Sequence, residues 1–302
     1  MKSSTASGTT ATASLHDRYR GRFAPSPTGP LHLGSLVAAL ASWLDARAHQ
    51  GQWLLRIEDL DTPRVVPGAE ADIRATLEGL GLHHDGEVLR QSQRMPLYRE
   101  ALESLVAQGF AYRCRCRRTE AEHPYPGTCR DARHGEGPAA WRLRLDTGAD
   151  TRFEDRIQGR MDYPHRTLGD PVIFRRDGIA AYQLAVVVDD HAQRISDVVR
   201  GADLLESTAW QIRLIEALGG APPAYAHVPL IVEPDGTKLA KSRRSLPVAS
   251  LAPAQALTMT LKLLRQQPPD LLATARPAQI LEWGVAHWNP LALAGQHSLP
   301  AS

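Results

Sequence analysis

The sequence RFAPSPTGPLHLGS at residues 22–35 joins an expected strand to an expected helix. A short strand is predicted over residues 19–25, and the prolines and glycine after it predict a tight turn with a pre-set backbone. Beyond the turn, apolar residues recur at helical spacing, which predicts a helix over residues 34–49 that ends near Gly51. The stretch therefore predicts a strand, a turn and a helix in succession, which is how a layered α/β fold begins.

The rest of the chain continues to alternate between strand-like and helix-like patterns. Further helices are predicted over residues 69–80, 94–109, 204–218, 251–265 and 277–288. Further strands are predicted over residues 52–57, 140–145, 171–176, 181–188, 195–200 and 227–232. The run at 181–188 is almost continuously apolar, as expected for a strand buried on both faces. This order predicts an α/β protein with a Rossmann-like parallel sheet and helices on its faces.

The composition narrows the class of protein. A hydrophobic content of 43% and a charged content of 23% are ordinary for a globular enzyme. The net charge of only +2 means that any nucleic-acid contact must use a local patch. No apolar run is long enough to cross a bilayer, and the N-terminus lacks the apolar core of a secretory signal. Three cysteines, an odd number, argue against a disulfide framework and for a reducing cytoplasm, where we expect a monomer.

Five segments of different character are predicted along the chain. Residues 112–138 are rich in Cys, Arg, Pro, Gly and His and lack periodicity, which indicates an insertion. The segments are a flexible N-terminal extension at 1–18, the first half of a nucleotide-binding catalytic domain at 19–107, a small insertion at 108–170, the second half of the catalytic domain at 171–245, and a short helical C-terminal region at 246–302.

Two separate segments predict a site for ATP with Mg²⁺. In the first, the turn lets a nucleotide approach closely, and the following helix directs its positive end at phosphates; His32, Gly34 and Ser35 lie there. In the second, the sequence KLAKS at residues 238–242 places Lys238 and Lys241 three positions apart. Of the 35 lysines and arginines only four are lysines, so two in one loop are conspicuous. Lysine is a mobile point charge that suits a leaving pyrophosphate, and these residues with His32 are the predicted catalytic groups.

All three cysteines lie close together in the sequence, as Cys114, Cys116 and Cys129. A C-x-C pair with a third thiolate nearby predicts a zinc site, one ion per chain, within the insertion. The alternative is three unrelated reduced thiols. Ligand chemistry alone nominates His123 as the fourth ligand, because imidazole binds zinc far more often than phenol does.

The two nucleotide segments resemble the signature motifs of class I aminoacyl-tRNA synthetases, and the match to the glutamyl branch is close. RFAPSPTGPLHLGS resembles its first motif, RIEDLD at residues 56–61 its acidic strand end, and KLAKS its second motif. The resemblance covers about residues 19–242. Ser35 stands where the general motif has a second His, and Ala240 replaces a Ser, so each removes one possible phosphate contact.

The resemblance implies a glutamate site and a different fourth zinc ligand. Arg22 and Tyr182 are expected to face the side-chain carboxylate, and Arg200 the α-carboxylate. Glu58 would hold the ammonium group. The implied glutamate-binding residues are Arg22, Phe23, Ala24, Pro25, Ser26, Glu58, Tyr182 and Arg200. The spacing C-x-C-x8-Y-x3-C resembles a pattern in which Tyr125 is the fourth ligand, with His123 as the alternative.

The resemblance also implies what the product is. Full-length members of the branch carry a large anticodon-binding module after the lysine loop, whereas 60 residues follow Ser242 here. The chain is similar to short paralogues that activate glutamate with ATP, without tRNA, and esterify it to queuosine at the wobble position of tRNA(Asp). The insertion would bind the anticodon stem-loop through an arginine patch. That patch consists of Arg113, Arg115, Arg117, Arg118, Arg130 and Arg133.

Three alternative functions remain at this stage. The nearest is a glutamyl-tRNA synthetase that charges the tRNA 3′ end and has lost its C-terminal half. A second is a nucleotidyltransferase of the same superfold, which would have no reason to keep the RFAPSPTG and RIED sequences. The third is a non-catalytic tRNA-binding relic, against which the intact His32, Lys238 and Lys241 argue.

Overall fold

The structure, a computed structural model, describes residues 19–117, 124–132, 134–135, 137–145, 150–233 and 247–300. The N-terminal extension predicted over residues 1–18 lies outside this part of the chain. Of the helices within these ranges, none combines the length and the apolar character needed to cross a membrane.

The described residues form eight α-helices and twelve strands. The helices are α1 (Leu33–Ala48), α2 (Ala69–Gly79), α3 (Met95–Ala107), α4 (His165–Leu168), α5 (Tyr182–Ala192), α6 (Leu205–Ala217), α7 (Pro253–Leu263) and α8 (Pro277–Ala286). The strands are β1 (Arg20–Phe23), β2 (Gln52–Ile57), β3 (Leu89–Arg90), β4 (Ala111–Cys114), β5 (Ala140–Leu143), β6 (Thr151–Asp155), β7 (Gly159–Tyr163), β8 (Val172–Phe174), β9 (Asp197–Gly201), β10 (Ala224–Val228), β11 (Leu230–Val232) and β12 (Ser298–Pro300).

The central feature is a parallel sheet assembled from both halves of the catalytic region. Strands β1, β2 and β3 pair in parallel on one side, and β9, β10 and β6 pair in parallel on the other. The two sides meet where the Ser196 N–H donates a hydrogen bond to the Arg20 carbonyl at 3.0 Å, so β9 lies beside β1. The predicted α/β fold with a parallel sheet is thereby confirmed. The order of strands along the chain reverses between β1 and β9, because β2 and β3 follow on one side and β10 follows on the other. Ligands bind at the carboxyl ends of strands at such a point.

The first helix explains how the sheet is covered. Leu36, Leu40 and Leu44 of α1 recur every four residues and are fully buried against the sheet. The C-terminal helices cover the outer side of α1, and the approach is close: a Cβ added at Gly284 of α8 would lie 2.9 Å from Leu44. The C-terminal region therefore completes the core of the catalytic domain.

A smaller antiparallel sheet lies next to the central one. It consists of β4, β5 and β8, of which β5 and β8 correspond to the strands predicted at 140–145 and 171–176. Strand β8 follows the predicted domain boundary at residue 170 yet pairs with β5 of the insertion. The domain boundaries themselves stay a prediction.

Two strand predictions are wrong. Residues 181–188 were expected to form a strand, but Tyr182–Ala192 is helix α5. A short apolar run does not distinguish a buried strand from a buried helix, and here Leu184 to Val187 are buried around the helix. The strand expected over 227–232 is broken at Pro229 into β10 and β11, which join different sheets, because proline cannot donate to a ladder.

Candidate functional site

A cleft of about 280 Å³ opens at the carboxyl ends of β1 and β9, where the order of strands along the chain reverses. The turn after β1, the start of α1 and the segment after β9 form its walls. Seven residues predicted from the sequence line it, namely Phe23, Ala24, Pro25, Ser26, His32, Gly34 and Ser35. The cleft therefore combines the turn and the helix start that the sequence assigned to ATP.

His32 is the N-cap of α1. Its Nδ1 accepts a hydrogen bond from the Ser35 N–H at 3.1 Å, and the Ser35 hydroxyl lies 2.9 Å from its Nε2. A Cβ at position 34 would lie 3.3 Å from the imidazole, so Gly34 lets the ring fold back over the helix end. The 16-residue helix directs its N-terminus, the positive end of its dipole, at the cleft, an arrangement suited to phosphate.

The predicted lysines, Lys238 and Lys241, lie outside the described residues. The described chain on both sides of them lies at the cleft. Leu230 and Ile231 line it before the lysines, and Pro247 pairs with His32 after them. The role of the lysines stays a prediction.

The predicted glutamate residues converge beside this cleft. Arg22 is 4% exposed, and its Nε and Nη2 donate to the Asp190 carboxylate at 3.1 and 3.4 Å. Arg56 also reaches Asp190, at 2.8 Å. Tyr182 and Asp190 lie about two helical turns apart on α5, roughly 12 Å along the axis, whereas eight residues of strand would separate them by about 26 Å. The helix that the sequence prediction missed is what places both groups at the site.

Glu58 follows β2, and its N–H donates to the Pro25 carbonyl at 3.0 Å, which ties it to the turn. Burial raises the pKa of its carboxyl to about 7, although the charges of Arg56 and Arg22 act in the opposite direction. Burial likewise raises the pKa of Tyr182, with Arg200 and Arg22 opposing the change. Tyr182 therefore lies within electrostatic range of Arg22, Glu58 and Arg200, and Glu58 within range of Arg22.

Sequence reasoning missed the acidic groups that hold the arginines. Asp189 is fully buried and accepts hydrogen bonds from Gln91 at 2.9 Å, Arg94 at 2.6 Å and Tyr98 at 2.8 Å. Asp190 is the partner of Arg22. The sequence did contain a signal for these groups, namely two carboxylates at the end of the apolar run YQLAVVVDD. Because buried charges require partners, this pair could have been predicted to bind buried cations.

The three cysteines come together at the end of β4. Their sulfur atoms lie within 4.8 Å of one another, and those of Cys116 and Cys129 are 3.6 Å apart. Zinc at about 2.3 Å from each of two thiolates in a tetrahedron separates the sulfurs by about 3.8 Å, so the spacing fits. The Tyr125 hydroxyl lies 3.4 Å from Cys114 Sγ and 3.5 Å from Cys116 Sγ. The other candidate ligand, His123, lies outside the described residues.

Cys129 is suited to ionise. Burial raises the pKa of its thiol, but hydrogen bonds with the Tyr125 hydroxyl, the Arg115 backbone and His134 together outweigh burial and lower the pKa to about 6. Metal ligands of this type bind as thiolates. The donor set therefore fits zinc.

A second and larger cleft, about 1170 Å³, separates the cysteine cluster from the start of α5. Ala181 and Gln183, the neighbours of Tyr182, lie at one side, and Trp210 adds an aromatic surface. Four arginines line it, namely Arg117, Arg142, Arg175 and Arg176. Three aspartates also line the cleft, and Arg175 pairs with Asp177 and Asp61, so its positive charge next to the predicted glutamate site comes from the other arginines.

The predicted arginine patch is only partly supported. Arg117 lines the second cleft. Arg130 instead pairs with the buried carboxylate of Asp170 at 2.6 and 2.8 Å, so the prediction is wrong for this residue, whose charge is already compensated. Arg113 and Arg115 donate to loop carbonyls, and Arg118 and Arg133 lie outside the described residues.

Comparison with known proteins gives one consistent family. Residues 18–125 and 120–253 match the model of the catalytic domain of class I tRNA synthetases (E and Q). A glutamyl-Q tRNA(Asp) synthetase of Pseudomonas paraeruginosa is 53% identical over 93% of this chain and 97% of its own length. One from Aromatoleum aromaticum is 51% identical over 90% of this chain and 89% of its own.

Solved structures agree on the fold. A glutamate-tRNA synthetase from Elizabethkingia anophelis matches with a TM-score of 0.80 and 26% identity, over 95% of this chain and 68% of that one. A glutamate tRNA ligase from Elizabethkingia meningosepticum, solved with its amino acid, matches with a TM-score of 0.79 and 27% identity, over 95% and 67%.

Proposed function

Because this chain belongs to the class I tRNA synthetases (E and Q), we propose that it is a ligase that joins glutamate to the queuosine of tRNA(Asp). The glutamyl-Q tRNA(Asp) synthetases similar to it share up to 53% identity across nearly their full length. These relatives confirm the predicted ligation of glutamate to the queuosine of tRNA(Asp).

We further propose how glutamate is activated. The observation that carries this step is the convergence of Arg22, Glu58, Tyr182 and Arg200 beside the cleft at the start of α1. The glutamate α-carboxylate attacks the α-phosphate of ATP, which enters with Mg²⁺, and pyrophosphate leaves. This reaction needs positioning and charge stabilisation rather than a protein nucleophile. His32 and the N-terminus of α1 serve the phosphates, and the lysine loop serves the pyrophosphate.

The second cleft is our candidate for the acceptor. It begins beside Tyr182, where an activated glutamate would lie, and is wide enough for a nucleoside extruded from an anticodon loop. Trp210 offers a stacking face for a base, and Arg117 and Arg176 offer charge to the nucleic-acid backbone. The same cleft would otherwise receive the 3′ end of a tRNA, which is the alternative function.

Charging assays with labelled glutamate separate the two acceptors. Glutamate and ATP with Mg²⁺ should support pyrophosphate exchange without tRNA. An isolated anticodon stem-loop of tRNA(Asp) carrying queuosine should be labelled, and the unmodified stem-loop should not. Removal of the 3′-terminal adenosine from modified tRNA(Asp) should leave labelling intact. Exchange that requires tRNA, or label lost with the terminal adenosine, would restore the alternative of a glutamyl-tRNA synthetase.

The raised pKa of Glu58 predicts a pH-dependent KM for glutamate. The carboxyl is ionised above a pKa of about 7 and protonated below it, so at low pH it no longer pairs with the substrate ammonium. Lowering the pH from 8 to 6 should therefore raise the KM for glutamate about tenfold, with little change in the KM for ATP. A Glu58→Gln variant should show the high KM at every pH. A wild-type KM that is flat over this range would contradict the assignment.

The cysteine cluster predicts one bound zinc per chain. Cys114→Ser or Cys129→Ser should release the ion, since each removes one of the converging ligands. Pyrophosphate exchange should persist in part, because the cluster lies apart from the cleft at α1. Tyr125→Phe tests the fourth ligand by the same elemental analysis. Absence of zinc from freshly purified wild-type protein would contradict the prediction and favour the alternative of three unrelated reduced thiols.

A further inference from the structure

Arg200 is held by an unusual number of protein groups for a residue expected to bind substrate. It is the penultimate residue of β9 and is 5% exposed. Its Nε donates to His227 Nε2 at 3.1 Å, and its Nη2 donates to Thr208 Oγ1 at 2.7 Å and Gln211 Oε1 at 2.8 Å. Its Nη1 is buried and has no hydrogen-bond partner among the described residues. Of the three guanidinium nitrogens, only Nη1 is left for a ligand.

The ring of His227 is oriented from its other side. Its Nδ1 lies 2.6 Å from Asp155 Oδ2, and both side chains are fully buried. Since the carboxylate accepts, the Nδ1 carries the proton and the Nε2 presents a lone pair to the Arg200 N–H. Burial lowers the pKa of His227 to about 4, so the ring stays neutral beside the guanidinium.

Asp155 is in turn fixed by the backbone. Its Oδ1 accepts N–H groups from Ile157 at 3.0 Å, Gln158 at 2.8 Å and His227 at 3.1 Å. These three donors leave Oδ2 as the atom that faces the imidazole. The chain of contacts thus runs across three neighbouring strands, from β6 through β10 to the end of β9.

We propose that Asp155 and His227 are positioning residues that hold Arg200 so that its Nη1 alone binds a carboxylate of the substrate. The inference rests on the proposed function, in which that substrate is glutamate. An unpaired buried nitrogen on a guanidinium that is otherwise held on two sides is a preformed half of a charge-assisted hydrogen bond. The contact is made through one nitrogen, because Nε and Nη2 are already bonded within the protein.

An isosteric variant tests the inference. In Asp155→Asn, the three backbone donors keep the amide oxygen in place and turn the amide nitrogen towards His227. The imidazole must then accept at Nδ1 and carry its proton on Nε2, facing the Arg200 N–H donor to donor. We expect the KM for glutamate in pyrophosphate exchange to rise about 10- to 100-fold while kcat and the KM for ATP change little. His227→Phe, which keeps an aromatic ring but removes the contacts with Asp155, Arg200 and Thr208, should give the same split.

The control is Ser42→Ala, a substitution on α1 away from Arg200. It removes the buried hydrogen bond that Trp53 Nε1 of β2 donates to the Ser42 hydroxyl. It should lower thermal stability without changing the KM for glutamate. A folded Asp155→Asn or His227→Phe protein with wild-type KM for glutamate would overturn the inference. So would a kcat loss with unchanged KM. Failure of the wild-type protein to exchange pyrophosphate with glutamate would instead reject the proposed function.

Discussion

Replacing Arg22 with methionine should lower kcat/KM for glutamate about 10²- to 10³-fold, because truncating one partner of a buried charge pair between protein and ligand costs about 3–4 kcal/mol of binding free energy. Arg22 is buried, and Asp190 fixes its guanidinium at the site proposed for the substrate carboxylate. The variant also leaves Asp190 with Arg56 as its remaining close cation. Glutamate-dependent pyrophosphate exchange measures the loss.

Arg20→Met is the matched control for this prediction. Arg20 lies on the same strand, two residues earlier, but its guanidinium donates to Gln52 and to the Gln193 carbonyl near the surface. The control should keep kcat/KM within about threefold of wild type, as expected of a surface substitution. Equal losses in the two variants would show that Arg22 acts through stability of β1 and not through glutamate.

Lys241→Ala should reduce the rate of glutamate activation by on the order of 10²-fold or more, with little change in glutamate binding. The positive charge is needed as pyrophosphate leaves, when negative charge builds on its oxygens. The described chain on both sides of the lysine loop lies at the cleft, through Ile231 before it and Pro247 after it. Single-turnover formation of the adenylate measures the step.

Two further variants test whether the effect is specific to Lys241 and whether it requires a lysine. Lys262→Ala removes an exposed lysine of α7 whose ammonium lies 3.7 Å from Asp270, and it should be silent. Lys241→Arg keeps the charge but replaces a mobile point charge with a planar fork, and it should stay impaired. A fully active Lys241→Arg protein would contradict the argument for mobility.

The sequence predicted the structure well wherever an element depends mainly on residues close to it in the chain. The proline and glycine turn and the helix that begins after it depend on neighbours in the chain, so residues 22–49 could be predicted closely. The cysteine cluster was also predictable, because three thiols within 16 residues can meet without help from the rest of the fold. The run at 181–188 was not, because burial hides the periodicity that separates a strand from a helix.

By itself, the sequence predicted the α/β class, the turn and helix start after β1, and the residue types of the candidate glutamate and zinc sites. Only the tertiary structure decided which groups hold those residues. Asp190 reaches Arg22 across 168 positions, and Asp155 reaches His227 across 72. Desolvation selects such partners: a charged or polar group taken out of water needs a counter-charge or a hydrogen-bond partner wherever the packed strands and helices bring one. That position leaves no local pattern in the chain.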